Sequence, residues 1–387
     1  MKTTPTEKVT IVFLGDADTS HLLRWTRYFA AKGHEVHVIS WNPPVCKNFP
    51  IEADQYKPAI LHSINKVIKK SNFFARIINV VNIFFATKKL IKQIKPDLIH
   101  AMSAGSYAWM AMLVNFHPYI VSPWWGEIIS GFKTDRIDRY LSTKSILKAD
   151  LIHSDGYKLS DELHKLGVDP QKIVFVTYGV NLDLFTFEKK NDRLLAKHNL
   201  ANKKVIISTR LLTSIHGVDT LIRAIPAVIK ARPEAKFLII GKGHEEEKCK
   251  NLVRDFGIQD SVIFLGSVTE TEMADYLLLS DIYVSTSHYE CGIAASTAEA
   301  MACGLPVINT DTGDISSWLT NGQENYIIPA GDEKILVEKI IRLLSDENEM
   351  TRYRQQNRSI IEERNNFIVE MKKMESIYYS LTSWQHN

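Results

Sequence analysis

Short apolar runs alternate with amphipathic helical patterns along most of the chain. In the first half, apolar and β-branched runs predict strands at residues 9–14, 35–39, 98–100, 120–122, 151–153 and 173–176, with a helix over residues 20–31. These runs are continuously apolar, which is typical of parallel strands buried on both faces. The first half is therefore predicted to form a parallel sheet covered by helices.

The same alternation restarts after residue 185, with strands predicted at residues 205–208, 237–240, 262–264, 282–285 and 307–308. The polar run over residues 189–193 is typical of a linker. Each half has the size of one doubly wound α/β sheet, so we expect two Rossmann-like domains, over residues 1–187 and 188–364, facing a central cleft. Ligands of such sheets bind beyond the carboxyl ends of the strands.

The last segment, residues 365–387, departs from this alternation. Its apolar residues form a helical stripe, at Phe367, Met371, Met374, Tyr378 and Leu381. The segment has no strand of its own on which to pack. The helix therefore either lies on the second domain or crosses back to the first.

Composition narrows the class of protein. The 387 residues are 24% charged and 45% hydrophobic with a net charge of +3, which is ordinary for a soluble globular protein and too mild to imply a nucleic-acid partner. Four cysteines without a CxxC pair, and 13 histidines without an HExxH, argue against a structural zinc site or a disulfide framework. The opening residues resemble no signal segment, and the longest apolar stretch, residues 77–86, is short of the roughly 20 residues of a membrane span. We expect a reduced, cytoplasmic protein.

One part of the first half is strongly basic. Between Asp54 and Asp97 no acidic residue occurs, and aromatic residues are interleaved with nine cations: Lys57, Lys66, Lys69, Lys70, Arg76, Lys88, Lys89, Lys92 and Lys95. A basic amphipathic surface with aromatic residues favours anionic lipid, so residues 57–95 are a candidate membrane-contact surface. Solvated helix faces over an ordinary core remain the alternative.

Candidate ligand contacts follow several predicted strands. Gly15 opens a turn before a helix, where backbone amides can face an anion, although GxGxxG is absent and an ordinary turn explains it equally well. Arg210 ends the first strand of the second half, with His216 six residues on, and together they would suit a diphosphate. A surface ion pair is the alternative for Arg210. Glycine turns at Gly241 and Gly266, the latter leading to Val268, allow a close backbone approach or simply a tight turn.

Residues 285–308 hold the densest set of candidates and read as strand, loop, helix, glycine stop and strand. Glu290 lies in the loop and Glu299 in the helix. Amides of Gly292, Ile293 and Ala294, at the start of the helix, are candidates for holding phosphate, and a carboxylate for binding sugar hydroxyls. A helix-surface position is the alternative for Glu299.

At this point the chain resembles a known family. Residues 299–308, EAMACGLPVI, are similar to the signature of the retaining glycosyltransferases of family 4. Further segments match in the expected order: GHEV at 33–36, KPDLIH at 95–100, YGVN at 178–181 and GVDTLI at 217–222. The resemblance covers nearly the whole chain and implies the GT-B fold, with two Rossmann-like domains and a nucleotide sugar bound between them.

The resemblance also implies roles. In the first domain, Gly15 would approach the diphosphate of the donor. In the second domain, Arg210 would contact that diphosphate, the turn from Gly266 to Val268 would meet the base, the amides after residue 291 would hold the distal phosphate, and Glu299 would bind the ribose. The C-terminal helix would return to the first domain.

Three departures from the family pattern stand out. The paired carboxylates, Glu290 and Glu299, are separated by eight residues instead of seven, with Cys291 at the expected position. His216 replaces the usual lysine, which weakens diphosphate binding near neutral pH because histidine has an unperturbed pKa of about 6.5. The histidine expected after the fifth strand is replaced within residues 123–127, which makes Trp125 and Glu127 candidates for the acceptor side.

The sequence therefore predicts a retaining transferase that moves a sugar from a nucleotide diphosphate sugar, with uridine as the expected base, to a glycan or lipid-linked acceptor in polysaccharide or glycolipid synthesis. Arg210, Glu290 and His216 are its candidate catalytic residues. No convincing DxD motif is present, so no metal is expected. A nucleotide-sugar epimerase on the same fold, or a catalytically weak sugar-nucleotide-binding protein, are the alternatives.

Overall fold

The computed structural model describes residues 8–41, 53–64, 73–129, 136–187, 192–320 and 322–383. The chain folds into two compact units. The first takes the chain up to Thr177 together with the segment from Glu370 onward, and the second takes Tyr178–Val369.

The first unit is built on a seven-stranded parallel sheet of order β3-β2-β1-β4-β5-β6-β7. The strands are β1 Thr10–Leu14, β2 Glu35–Ser40, β3 Ile60–Ser63, β4 Leu98–Ala101, β5 Tyr119–Val121, β6 Leu151–Ser154 and β7 Ile173–Phe175. The helices are α1 Ser20–Ala31, α2 Phe73–Ile94, α3 Ser106–Val114, α4 Trp125–Ile129, α5 Arg136–Lys148 and α6 Tyr157–Lys165. The strand order reverses between β1 and β4, which opens a crevice at their carboxyl ends.

The second unit has a six-stranded parallel sheet of order β10-β9-β8-β11-β12-β13. Its strands are β8 Lys204–Ser208, β9 Ala235–Ile240, β10 Val262–Gly266, β11 Ile282–Ser285, β12 Val307–Thr310 and β13 Ile327–Ile328. The helices from here to the end of the chain are α7 Asp192–Lys197, α8 Val218–Ala231, α9 Glu246–Asp255, α10 Glu270–Leu279, α11 Ala295–Ala302, α12 Ile315–Trp318, α13 Glu333–Ser345, α14 Glu347–Arg364 and α15 Phe367–Ser383. The order reverses between β8 and β11, so the second unit has its own switch point.

The predicted fold class is confirmed, because both sheets are wholly parallel and alternate with helices. Two strands, β3 and β13, were missed. Both lie at sheet edges: β3 is only partly buried and β13 has two residues, so neither gives a continuous apolar run. The predicted linker over residues 189–193 lies partly outside the described residues, and its last two residues begin α7.

The domain boundaries were placed at residues 187 and 364, whereas the compact units change over after Thr177 and after Val369. The first boundary differs because Phe185 is fully buried in the core of the second unit, in the same cluster as Met301 and Ile361. The C-terminal stripe is buried at Met371, Met374 and Tyr378, and the segment from Glu370 groups with the first unit. None of the helices within the described ranges is long and apolar enough to span a bilayer.

Candidate functional site

Arg210 lies at the switch point of the second unit, two residues beyond the end of β8. Its guanidinium donates from Nε to Ser287 Oγ at 3.2 Å and from Nη1 to Ser296 Oγ at 2.8 Å. Its Nη2 forms an ion pair with the Glu290 carboxylate. The side chains of Arg210 and Glu290 are only 11% and 13% exposed, so this pair is not an ordinary surface ion pair.

Two serines that hold Arg210 were missed by the sequence analysis. Ser287 follows β11 by two residues, and Ser296 lies in the first turn of α11, where it also accepts a hydrogen bond from Tyr283 at 2.9 Å. Tyr283 lies in β11 and is fully buried. The only sequence signal for these two serines was that small hydroxyl side chains follow a predicted strand. Nothing in the sequence showed that they contact Arg210.

His216 lies close enough to Arg210 to feel its positive charge. Burial, with a contribution from Arg210, lowers the pKa of His216 from 6.5 to about 4. Its Nδ1 is 2.8 Å from the hydroxyl of Thr213. At pH 7 the imidazole is therefore neutral, so it can form hydrogen bonds but supplies no second positive charge.

Glycines bring backbone segments close to Arg210. A Cβ on Gly241 would lie 2.4 Å from the carbonyl oxygen of Arg210, so no larger residue fits there without a shift of backbone. The Gly241 amide donates to the Gly266 carbonyl at 2.8 Å, which ties together the turns after β9 and β10. Lys242, exposed and not among the predicted residues, has its Cε 3.5 Å from the position of a Cβ on Gly266. Val268, two residues on, is half-buried.

The loop before α11 places backbone amides near the same strand end. Gly292 has a φ of +44° and its carbonyl accepts from the Asp314 amide at 2.8 Å. The half-buried Ile293 and Ala294 lead into α11, whose N-cap residue, Ala294, provides no side-chain cap. The first amides of this eight-residue helix are thus not capped by that side chain and favour an anion. Glu299 is half-buried on the same helix, so it is not a fully solvated surface residue.

The remaining predicted residues belong to the first unit. Gly15 follows β1, and a Cβ there would lie 3.0 Å from Leu22 and 3.2 Å from Met102, so the turn is tightly packed. The side chain of Trp125 lies outside the described residues, although its backbone begins α4.

Glu127 has a structural task in the first unit. Its carboxylate accepts from the Ser103 hydroxyl at 2.6 Å, the Ala104 amide at 2.8 Å and the Trp124 amide at 2.9 Å. The Glu127 carboxylate therefore connects the turn that follows β4 to the turn that follows β5. Its role on the acceptor side stays a prediction.

Within the described ranges, no three His, Cys, Asp or Glu side chains are grouped so that they could hold a metal ion. The expectation of metal independence, which rested on the missing DxD motif, stays a prediction. In the second unit the structure brings Arg210, His216, Glu290 and the Gly241 turn together around one strand end.

Two family models match the chain: "Glycosyl transferases group 1" over residues 190–360 and "Glycosyl transferase 4-like" over residues 10–156. An N-acetyl-alpha-D-glucosaminyl L-malate synthase of Bacillus anthracis is 24% identical over 370 residues, covering 92% of this chain and 91% of that protein.

Solved structures resemble the whole chain. The sucrose-phosphate synthase of Thermosynechococcus elongatus superimposes with a TM-score of 0.80 at 18% identity, covering 97% of this chain and 99% of that one. HepE of Anabaena, solved with UDP-glucose, gives a TM-score of 0.77 at 15% identity, covering 96% and 100%.

Proposed function

We propose that this chain, which belongs to the group 1 glycosyltransferases and has the GT-B fold, is a sugar transferase. It transfers a sugar from a nucleotide diphosphate sugar to an acceptor hydroxyl with retention of configuration. The observation that carries the proposal is the mostly buried guanidinium of Arg210, oriented by two serine hydroxyls at the switch point. A fixed cation at this place suits a leaving group on which negative charge develops.

The reaction proceeds by electrostatic stabilisation of the departing diphosphate. Arg210 neutralises one phosphate, and the first amides of α11 face the other, as helix N-termini favour anions. A phosphate oxygen on the same face of the sugar takes the proton of the acceptor hydroxyl while that hydroxyl attacks the anomeric carbon. This front-face step retains configuration and uses neither a protein nucleophile nor a metal.

Other site residues bind rather than react. Neutral His216 offers hydrogen bonds to the donor, and the Glu299 carboxylate accepts two ribose hydroxyls. Uridine is the proposed base, supported by the UDP-glucose bound to Anabaena HepE. The proposed acceptor is a glycan or lipid-linked hydroxyl compound.

We also propose that the enzyme works on the cytoplasmic face of a membrane as a peripheral protein. Along α2, apolar side chains are exposed at Ile77, Val81 and Phe85, the last 64% exposed. Exposed lysines at 88, 89 and 92 follow on the same helix, which contains no acidic residue. Apolar residues beside clustered cations favour anionic lipid. Lys66, Lys69 and Lys70, from the predicted basic stretch, lie outside the described residues.

A transfer assay with UDP-sugars and Arg210→Ala tests the proposed function. The variant should lower kcat by about 10²–10³, the usual effect of removing a donor that stabilises transition-state charge. Arg232→Ala is the matched control, because Arg232 also pairs with a glutamate, Glu234, but at the end of α8 before β9, away from the switch point. Equal turnover of Arg210→Ala and wild type contradicts the mechanism, and conversion of donor without acceptor points to an epimerase.

A further inference from the structure

The three partners of Arg210 differ in charge. Ser287 and Ser296 are neutral acceptors, whereas Glu290 is an anion that contacts the same guanidinium. A carboxylate and a phosphate present similar oxygen acceptors to an arginine fork, so they compete for the same N–H groups. In the structure, the guanidinium proposed to bind the diphosphate is therefore already paired with an internal anion.

We propose that Glu290 is an internal competitor of the donor diphosphate: it pairs with Arg210 until diphosphate binds, then releases the guanidinium, and pairs with it again to help expel the product. This inference rests on the proposed function and assigns a regulation to its site. Re-pairing would speed release of the nucleoside diphosphate, a step that often limits turnover in enzymes.

The two kinds of partner are anchored differently. Ser296 is held in α11 and also bound by Tyr283, and the Ser287 carbonyl accepts from the Thr310 hydroxyl at 2.5 Å. These hydroxyls can keep the guanidinium oriented after the ion pair breaks.

Glu290, by contrast, lies in a loop outside helix and strand, between the exposed Tyr289 and the half-buried Cys291. Gly313 packs closely against this loop: a Cβ there would lie 3.1 Å from the Glu290 Cβ and 2.6 Å from the Gly292 carbonyl oxygen. The glycine at φ +57° therefore lets the loop pack closely without a side chain wedged against Glu290. The geometry points to Glu290 as the partner that moves.

Opposite shifts in affinity separate a competitor from a merely structural partner. A site that must first break an internal contact binds with an apparent affinity reduced by the fraction of open molecules. Glu290→Gln removes the competing charge while keeping the size and an amide oxygen for Arg210. Ser296→Ala removes a neutral partner of the same guanidinium and is the matched control.

The experiment is titration calorimetry of the full chain with UDP and, separately, with inorganic pyrophosphate. Glu290→Gln should bind both about tenfold more tightly than wild type, as expected if about one molecule in ten is open. Ser296→Ala should bind both more weakly. Stopped-flow release of UDP should be slower from Glu290→Gln. If Glu290→Gln fails to fold, as judged by its melting curve, Glu290→Ala replaces it, with the same expected sign.

Unchanged or weaker binding of UDP and pyrophosphate by the Glu290 variant overturns the inference and leaves the proposed function standing. Absence of binding by wild type and both variants overturns the proposed function and the inference together. If Glu290→Gln binds UDP more tightly than wild type but binds pyrophosphate with unchanged affinity, the inference is also overturned, because the proposed competition is for the diphosphate.

Discussion

Replacing Tyr378 by phenylalanine should destabilise the first unit, because Tyr378 starts a buried chain of hydrogen bonds with a fixed direction. The Val176 carbonyl can only accept, so His153 donates to it from Nε2 at 2.6 Å. His153 Nδ1 must then accept the proton of Ser122 at 2.8 Å. Ser122 in turn accepts from His100 Nε2 at 2.6 Å, and His100 Nδ1 accepts from the Tyr378 hydroxyl at 2.6 Å.

The fixed direction sets the magnitude. In Tyr378→Phe the Nδ1 atom of His100 loses its donor, and exchanging the tautomer of His100 would only leave a buried N–H without an acceptor instead. Both histidines and Tyr378 are almost completely buried, so bulk water does not reach them. An unsatisfied buried polar atom costs about 1–3 kcal/mol. At about 2–4 °C per kcal/mol for a unit of this size, the melting temperature should fall by about 2–12 °C.

Urea unfolding followed by tryptophan fluorescence measures the effect, since the Trp25 ring lies 5.6 Å from His100 and 5.2 Å from His153. The midpoint should fall with an unchanged slope. Tyr379→Phe, one residue along, is the control: that hydroxyl lies 3.4 Å from His34, whose nearer partner is Glu375 at 3.0 Å. A midpoint for Tyr378→Phe equal to that of wild type would refute the directional chain.

Three further outcomes are expected. Glu299→Gln should weaken UDP binding in calorimetry without changing the melting temperature of the ligand-free protein, and an unchanged affinity would make Glu299 structural. Burial lowers the pKa of His153 to about 4, so below pH 6.5 the unfolded chain takes up a proton that the folded chain does not. This histidine alone should cost about 3 kcal/mol of stability between pH 6.5 and pH 4, and burial lowers the pKa of His21 and His216 in the same direction, so urea midpoints that stay constant down to pH 4 would contradict the reasoning. Changing Lys88, Lys89 and Lys92 together to glutamine should reduce sedimentation with anionic vesicles but leave UDP affinity unchanged, and a wild type that does not sediment at low salt would refute membrane contact.

The sequence predicted the buried strands well because their apolar runs are local. The bounds of helix α1 and strand β11 were predicted to the residue. Edge strands such as β3 are partly exposed to solvent and therefore have no continuous apolar run to reveal them. The family could also be predicted from short motifs. Such motifs mark strand ends, tight turns and helix starts, and each of these is specified by residues that are neighbours in sequence.

The hydrogen-bond partners of the site's side chains could not be predicted from neighbouring residues. Ser287 and Ser296 are 77 and 86 residues from Arg210 in sequence, and only the strand order β8 beside β11 brings them to it. Glu127 was predicted to face an acceptor, which stays a prediction, but its hydrogen bonds to two backbone turns were not foreseen. Its residue type alone cannot distinguish the two tasks.

The path of the chain through its two units constrains how the protein is made. The first unit takes both the segment up to Thr177 and the segment from Glu370, so Tyr178–Val369 is inserted within it. Domains tend to fold as units in the order in which the ribosome releases them. Here all residues of the inserted unit are synthesised before the segment from Glu370 that completes the first unit. The second unit therefore has all its residues before the first, which can complete its buried hydrogen bonds only after Tyr378 has been added and reaches His100.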